Sequence, residues 1–263
     1  QEGEATLKTI ERGLAETPDE HQLMMMKVSA YRLLGQHEDA VRTMEEIVRG
    51  EHRQAGNLGM LLAMYLRGQD TERAIEEWKS WHKKHPDDVV APFMVGVLLH
   101  YGNEFEESNR WLMPLKDKLH DEPRIFVYRA MNAFNMGDGK TARELLDAAA
   151  LLPVVDPDVY YCRAEITRDT ERQLAIDDLG RYLALTDGTP HASIEKQARV
   201  RVMYDELLVC HAENHERCAG PWEHPRKAWW QETKGIGLIA TSALVAGGAL
   251  WLIRRRRSGE APS

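Results

Sequence analysis

Cysteine is scarce: three residues in 263, Cys162, Cys210 and Cys218, too few to staple a scaffold that lacks a core of its own. Positive charge is in deficit. With 34 basic against 42 acidic side chains, a formal charge of −8, the chain lacks the basic face that a nucleic-acid binder uses to neutralise phosphates. Glycine and proline, 19 and 11 residues, are too few for a low-complexity chain. Glycine-rich phosphate loops, Gly-x-Ser-x-Gly elbows, His-Glu-x-x-His, Cys-x-x-Cys and Cys-x-x-Cys-His are all missing. The acidic pairs Glu45-Glu46 and Asp177-Asp178 are adjacent, so on a helix their carboxylates point apart and are unsuited to shared acid–base work. The reading is a non-enzyme with no cofactor, no metal and no nucleic-acid partner.

Long apolar runs are missing everywhere except near the end. Gly235 to Ile253 is 19 residues without a charge, although the mean hydropathy of the whole chain is −0.50. At about 1.5 Å per residue such a run spans roughly 28 Å as a helix, close to the hydrocarbon core of a bilayer. Trp229, Trp230 and Trp251 lie near its ends, where indoles favour the interface, and Arg254, Arg255, Arg256 and Arg257 follow at once. The run reads as a single transmembrane helix with the bilayer as its partner. Residues 222–263 hold seven basic and three acidic side chains, leaving 27 and 39 before them, so the two parts have different work to do. The arginines place the tail in the cytoplasm and the acidic domain in the periplasm or cell exterior. A cytosol-facing tail anchor of a mitochondrial or peroxisomal membrane stays open as the alternative. Gln1 suits a cleaved mature chain or a truncated one. Within the run, Gly237, Ala240 and Leu244 share a face and Ala243 and Gly247 are a small-xxx-small pair, which suits a homodimer through this helix.

The acidic part repeats. Glycines recur at 35, 68, 102 and 137, spaced 33, 34 and 35, each after an apolar stretch of helix length and before an amphipathic one. Glycine there ends the first helix and lets the chain turn back. The second stretches share a face at i, i+4 and i+7: Ala40/Met44/Ile47, Ala74/Trp78/Trp81, Ser108/Leu112/Leu115 and Ala142/Leu146/Ala149, with Ala175/Leu179/Tyr182 in a fifth unit without the glycine. A small residue at the first position lets two helices approach closely. Pro86 closes one unit. Thr6/Ile10/Gly13 fits a second helix without its first.

The period, the turn glycine, the small residue five or six places later and Pro86 resemble the tetratricopeptide repeat family over about residues 1–187. The pattern departs from the family where its aromatic in the first helix is replaced by Met24, Asn57 and Ala91. The resemblance implies an all-α solenoid of about five degenerate helical hairpins. Residues 1–211 form this domain, 212–234 a linker and juxtamembrane belt, 235–253 the membrane helix and 254–263 a basic tail. Ser193 to His211 reads as a cap helix with Ile194, Ala198, Val202, Leu207 and Leu208 as its apolar positions and a polar outer face. In this family the first helices line a concave face that takes a protein or peptide. Alignment on the turn glycines carries Met25, Ser29, Arg32, Tyr65, Arg124, Met131, Asn135, Tyr160 and Arg168 to that face, where arginine and tyrosine suit an acidic or C-terminal segment.

Cys210, His211, His215, Cys218 and His224 are the one cluster with metal-ligand chemistry, but their spacing matches no standard zinc site. A Cys210–Cys218 disulfide, unpaired thiols and a metal site all stay open, the disulfide being the most economical if the domain is extracytoplasmic. Cys162 lies on an apolar repeat and reads as core. The functional expectation is a membrane-anchored interaction scaffold for an envelope or secretion partner, with a cytosolic tail-anchored adaptor and a non-catalytic accessory subunit of a membrane enzyme as alternatives.

Overall fold

The repeat pattern is realised as hairpins. A computed structural model of the chain describes residues 2–50, 55–68, 70–189 and 194–213. Among them are thirteen α-helices and no strand: α1 (Glu2–Glu16), α2 (His21–Leu33), α3 (His37–Arg49), α4 (Ala55–Gly68), α5 (Thr71–Lys84), α6 (Val90–Tyr101), α7 (Phe105–Leu112), α8 (Leu115–Lys118), α9 (Pro123–Asn135), α10 (Gly139–Ala150), α11 (Pro157–Thr167), α12 (Arg172–Thr186) and α13 (Ile194–Ala212). These residues fall into two compact units, one up to Asp70 and one from Thr71.

In the first unit α2 and α3 form a hairpin, α1 packs on α2 and α4 on α3. In the second, α6/α7, α9/α10 and α11/α12 are hairpins, α5 packs on α6, and α13 packs on α12. Successive hairpins stack through α7 on α9, α6 on α9, α9 on α11 and α10 on α11. Each stacking step removes apolar area from water, at roughly 25 cal/mol per Å².

The expected triads form the interior, except that Trp81 is only half-buried. Ala40, Ala74, Ser108, Ala142 and Ala175 are all fully buried, and so are Met44, Trp78, Leu112, Leu146 and Leu179 four residues on. The small first position matters most where α6 crosses α7. A Cβ built on Gly96 would lie 2.6 Å from the Leu112 side chain, and Ser108 Oγ donates to the Gly96 carbonyl at 2.6 Å. Only glycine admits the neighbouring helix at that distance. At the N-terminus Ile10 is buried and a Cβ on Gly13 would meet Leu23 at 2.9 Å, so α1 packs on α2 through these two positions, while Thr6, the first of the expected triad, is exposed.

The turns are regular, but glycine is not their common denominator. Gly35 and Gly137 adopt positive φ, +72° and +87°. At the intervening turn Gly102 is an ordinary helical C-cap, and Asn103 takes the left-handed conformation at φ 65°. The hydrogen bonds give the true register. Gln36 N–H donates to Tyr31 O, Asp70 to Tyr65, Glu104 to Leu99 and Asp138 to Ala133, each 6→1 bond 34 residues after the last. The glycine spacing of 33, 34 and 35 is therefore an exact 34-residue period in which glycine shifts between two adjacent positions.

Two expectations about helices are corrected. The second helix of the third repeat is not continuous: Pro114 supplies no N–H, α7 stops after eight residues, and α8 resumes with Leu115 still buried. The cap helix forms as expected, but on another face. Val200, Met203, Leu207 and Cys210 are buried, whereas Ile194, Ala198, Val202 and Leu208 are exposed. The outer face of α13 is thus not simply polar.

Candidate interaction surfaces

The first helices present polar groups in two ways. Some are consumed in holding repeats together; others face solvent. The first kind begins at the helix starts. Glu20, Asp88, Glu122 and Asp156 each accept the backbone N–H two residues on, from Gln22, Val90, Arg124 and Asp158, at 3.3, 2.7, 3.4 and 2.9 Å. These acidic residues recur at multiples of the 34-residue period and satisfy amides that a helix start leaves unpaired. Their carboxylates also join repeats. Arg124 Nε lies 2.8 Å from Glu122 and 3.9 Å from Asp156 of the next hairpin. Asp88 accepts from Trp81 Nε1 at 3.0 Å.

Asp158 receives Lys196 Nζ from α13 in a buried ion pair, with the ammonium 4.8 Å from the Tyr161 ring centroid and 5.4 Å from that of Tyr182. Burial alone would lower the Lys196 pKa, but the Asp158 carboxylate outweighs it and holds the group above its ordinary value. Asp156 has the opposite problem. Burial and the adjacent Asp158 charge push its carboxyl up to about 6, against the pull of Arg124.

Two further networks span the helices. Asn132 Nδ2 donates to Ser108 Oγ at 2.8 Å and to Asn109 Oδ1 at 3.0 Å, which leaves Asn132 Oδ1 to accept from His100 Nδ1 at 2.6 Å. The tautomer of His100 follows from this chain. The ring sits among Tyr101, Phe105 and Tyr128, and burial lowers its pKa to about 4. In the next repeats Arg163 makes a bidentate pair with Asp178, both contacts at 2.7 Å, and reaches Asp147 at 2.9 Å. Its pKa is raised, first by the Asp178 hydrogen bond.

These placements sort the nine residues expected on the concave face. Tyr65, Arg124, Met131 and Tyr160 are buried; Tyr65 donates to Glu45 at 2.7 Å and Arg124 serves the acidic caps. Met25, Asn135 and Arg168 are half-buried, and Arg168 lies 3.8 Å from Asp169. Ser29 and Arg32 are exposed. Around them on α2, Met26 is 52% and Leu33 88% exposed. The sequence reading missed the caps, Arg163–Asp178 and Met26/Leu33. An acidic residue before four of the five first helices, with Gln54 at the remaining position of the period, was the available signal for the caps.

Cys162 is a buried free thiol whose pKa burial raises. Cys210 is buried on the inner face of α13 and is one half of a disulfide, while Cys218 lies outside the described residues, as do Trp229, Trp230, Trp251 and Arg254 to Arg257. Among the described residues no helix is long and apolar enough to cross a membrane, and no group of acidic, histidine or cysteine side chains is placed to hold a metal. The apolar run 235–253 also lies outside the described residues.

No protein-family model matches this chain, and no curated protein is similar to it in sequence. Solved structures do match in fold. A tetratricopeptide repeat protein from Parabacteroides merdae has a TM-score of 0.52 and 16% identity, over 76% of each chain. A thermophilic tetratricopeptide repeat protein from Thermus thermophilus has a TM-score of 0.51 and 16% identity, over 72% of this chain and 98% of that one. A chain of the APC/C hetero-tetramer Cut9–Hcn1 has a TM-score of 0.52 and 13% identity, over 79% of this chain and 40% of that one. The fold is therefore a tetratricopeptide-like helical-repeat solenoid.

Proposed function

We propose that this chain is a protein-interaction scaffold held at a membrane by residues 235–253, with its helical repeats outside the cytoplasm. The observation that carries the interaction reading is the outer side of α2. Met26 and Leu33 are large apolar side chains left in water beside Ser29 and Arg32, and Arg32 makes no ion pair among the described residues. An apolar patch with one uncommitted guanidinium suits a segment that offers a carboxylate next to apolar side chains. In the second unit the position two periods on from Arg32 holds His100, which is buried on Asn132, so we place the docking end in the first unit. Arg32→Glu combined with Leu33→Asp removes both features at solvent-exposed positions. Co-purification of the full chain with its partner should fall at least tenfold while thermal unfolding stays within a few degrees. Undiminished capture would place the docking surface elsewhere.

The membrane reading rests on the uncharged run, its tryptophans and the arginines that follow it. The compartment reading rests on that charge bias and on the oxidised state of Cys210, for which we take Cys218 as the partner. Disulfides persist outside the reducing cytosol. Alkylation of intact cells followed by mass spectrometry should find Cys210 and Cys218 blocked against the reagent and joined. Two alkylated thiols would favour the cytosol-facing tail-anchored adaptor. A stoichiometric catalytic chain recovered with the protein would favour the accessory-subunit reading.

A further inference from the structure

Helix α13 carries two seams. The inner one, Val200, Met203, Leu207 and Cys210, is buried against α12 and its neighbours. On the opposite side of the helix lie Ile194, Ala198, Arg201, Asp205, Leu208 and Ala212, and every one of them is exposed. Their spacing of four, three, four, three and four residues is that of a coiled-coil seam, whose members fall on one narrow stripe. Ile194 stands 86% exposed at one end. A terminal helix that served only as a cap would be polar on this side.

The stripe is also self-complementary. When a second α13 is laid antiparallel with the two-fold axis at the level of residue 203, each residue faces the one equally far beyond that level. Ile194 then faces Ala212 of the second copy, Ala198 faces Leu208, and Arg201 faces Asp205. Apolar meets apolar and positive meets negative at every position, twice over by symmetry. A parallel arrangement would bring Arg201 against Arg201 and Asp205 against Asp205. Within one chain Arg201 and Asp205 are four residues apart on one face, yet neither makes an ion pair among the described residues, which leaves both to serve a second copy. The small side chains Ala198 and Ala212 admit close approach of the helices.

From this charge complementarity we infer that α13 is a homodimerisation helix, pairing antiparallel with α13 of a second copy through this seam. One 19-residue helix against another is a small interface, below the usual size of a stable complex. Self-association is accordingly weak in solution, and strong only where copies are concentrated.

Charge reversal tests the arrangement on the full chain in detergent, by sedimentation equilibrium across a concentration series. The wild-type chain is expected to dimerise. Arg201→Asp alone sets Asp against Asp twice in the antiparallel pair and should raise the dimer dissociation constant about tenfold or more. Asp205→Arg alone should do the same with arginines. The double variant R201D/D205R restores opposite charges across the seam and should recover wild-type affinity. A wild-type monomer at every concentration overturns the inference, and so does a stripe covered by the chain's own following segment or by another protein. A dimer indifferent to both single changes, as one made through residues 235–253 would be, overturns it equally. So does a loss that the double variant fails to reverse. The three variants carry changes only at exposed positions, and their circular dichroism should coincide with that of the wild type.

Discussion

Arg163 shows how much a single side chain carries in these repeats. It holds Asp178, which is 1% exposed, through two parallel hydrogen bonds, while its third nitrogen reaches the more exposed Asp147. Removing the guanidinium leaves Asp178 charged or forces it to take up a proton, and neither is cheap in a dry interior. Arg163→Met should therefore cost about 3–5 kcal/mol, the range for breaking one side of a buried pair. Replacing both partners, R163M with D178L, should recover most of that loss, because the apolar pair carries no desolvation penalty. Urea unfolding measures both. A single variant that costs under about 1 kcal/mol would mean that Asp178 finds other donors, and the bidentate pair would then be ornamental. The position could not be picked out beforehand. An arginine in the first helix and an aspartate in the second, 15 residues apart, look like two surface charges until the hairpin closes.

At the scale of helices, much was legible because packing forces a period. The triads of the second helices had to be small where helices cross and large where they fill the space between, and all five small positions are buried. The helix α1 could be read for the same reason, and it packs on α2. The turns were half legible. The 6→1 hydrogen bonds keep a strict 34-residue register, but the left-handed residue can be Gly35, Gly137 or Asn103, since asparagine tolerates that conformation at modest cost. Reading glycine alone moved the frame by one residue at two turns. That shift also hid the acidic caps, which become periodic only in the corrected register. The break at Pro114 was written in the sequence and outweighed by a triad that continues across it. The face of α13 was misread because the helix has apolar residues on two opposite sides, and periodicity cannot say which side is inside. Family alignment placed first-helix positions on a concave face, but it carried no information on which of them the acidic caps and the close stacking of α6, α9 and α11 would bury.

For the molecule as a whole, two buried groups pull its stability in opposite directions with pH. His100 has a folded pKa near 4 against 6.5 in the unfolded chain. Between those values the unfolded chain holds the proton, so stability rises with pH, by about 3 kcal/mol across the window. Asp156 runs the other way. Its pKa is about 6 when folded and 3.8 when not, so between those values the folded chain holds the proton and stability falls as pH rises, again by about 3 kcal/mol. The windows overlap almost completely, and the two contributions nearly cancel between pH 4 and 6. Asp156→Asn exposes the cancellation. Asparagine keeps a side-chain oxygen for the Asp158 amide that Asp156 now accepts at 2.9 Å, and Arg124 retains Glu122 at 2.8 Å. The variant has no carboxyl to ionise at this position, so its stability relative to wild type should climb by about 3 kcal/mol as pH goes from 4 to 6, and its own profile should then show a steeper rise from His100, opposed still by Glu165, whose carboxyl burial also raises. Urea midpoints of both chains taken at half-unit pH steps give the difference curve directly. A difference that stays flat with pH would mean that Asp156 ionises in the folded chain as it does in the unfolded one, with Arg124 rather than burial deciding its charge.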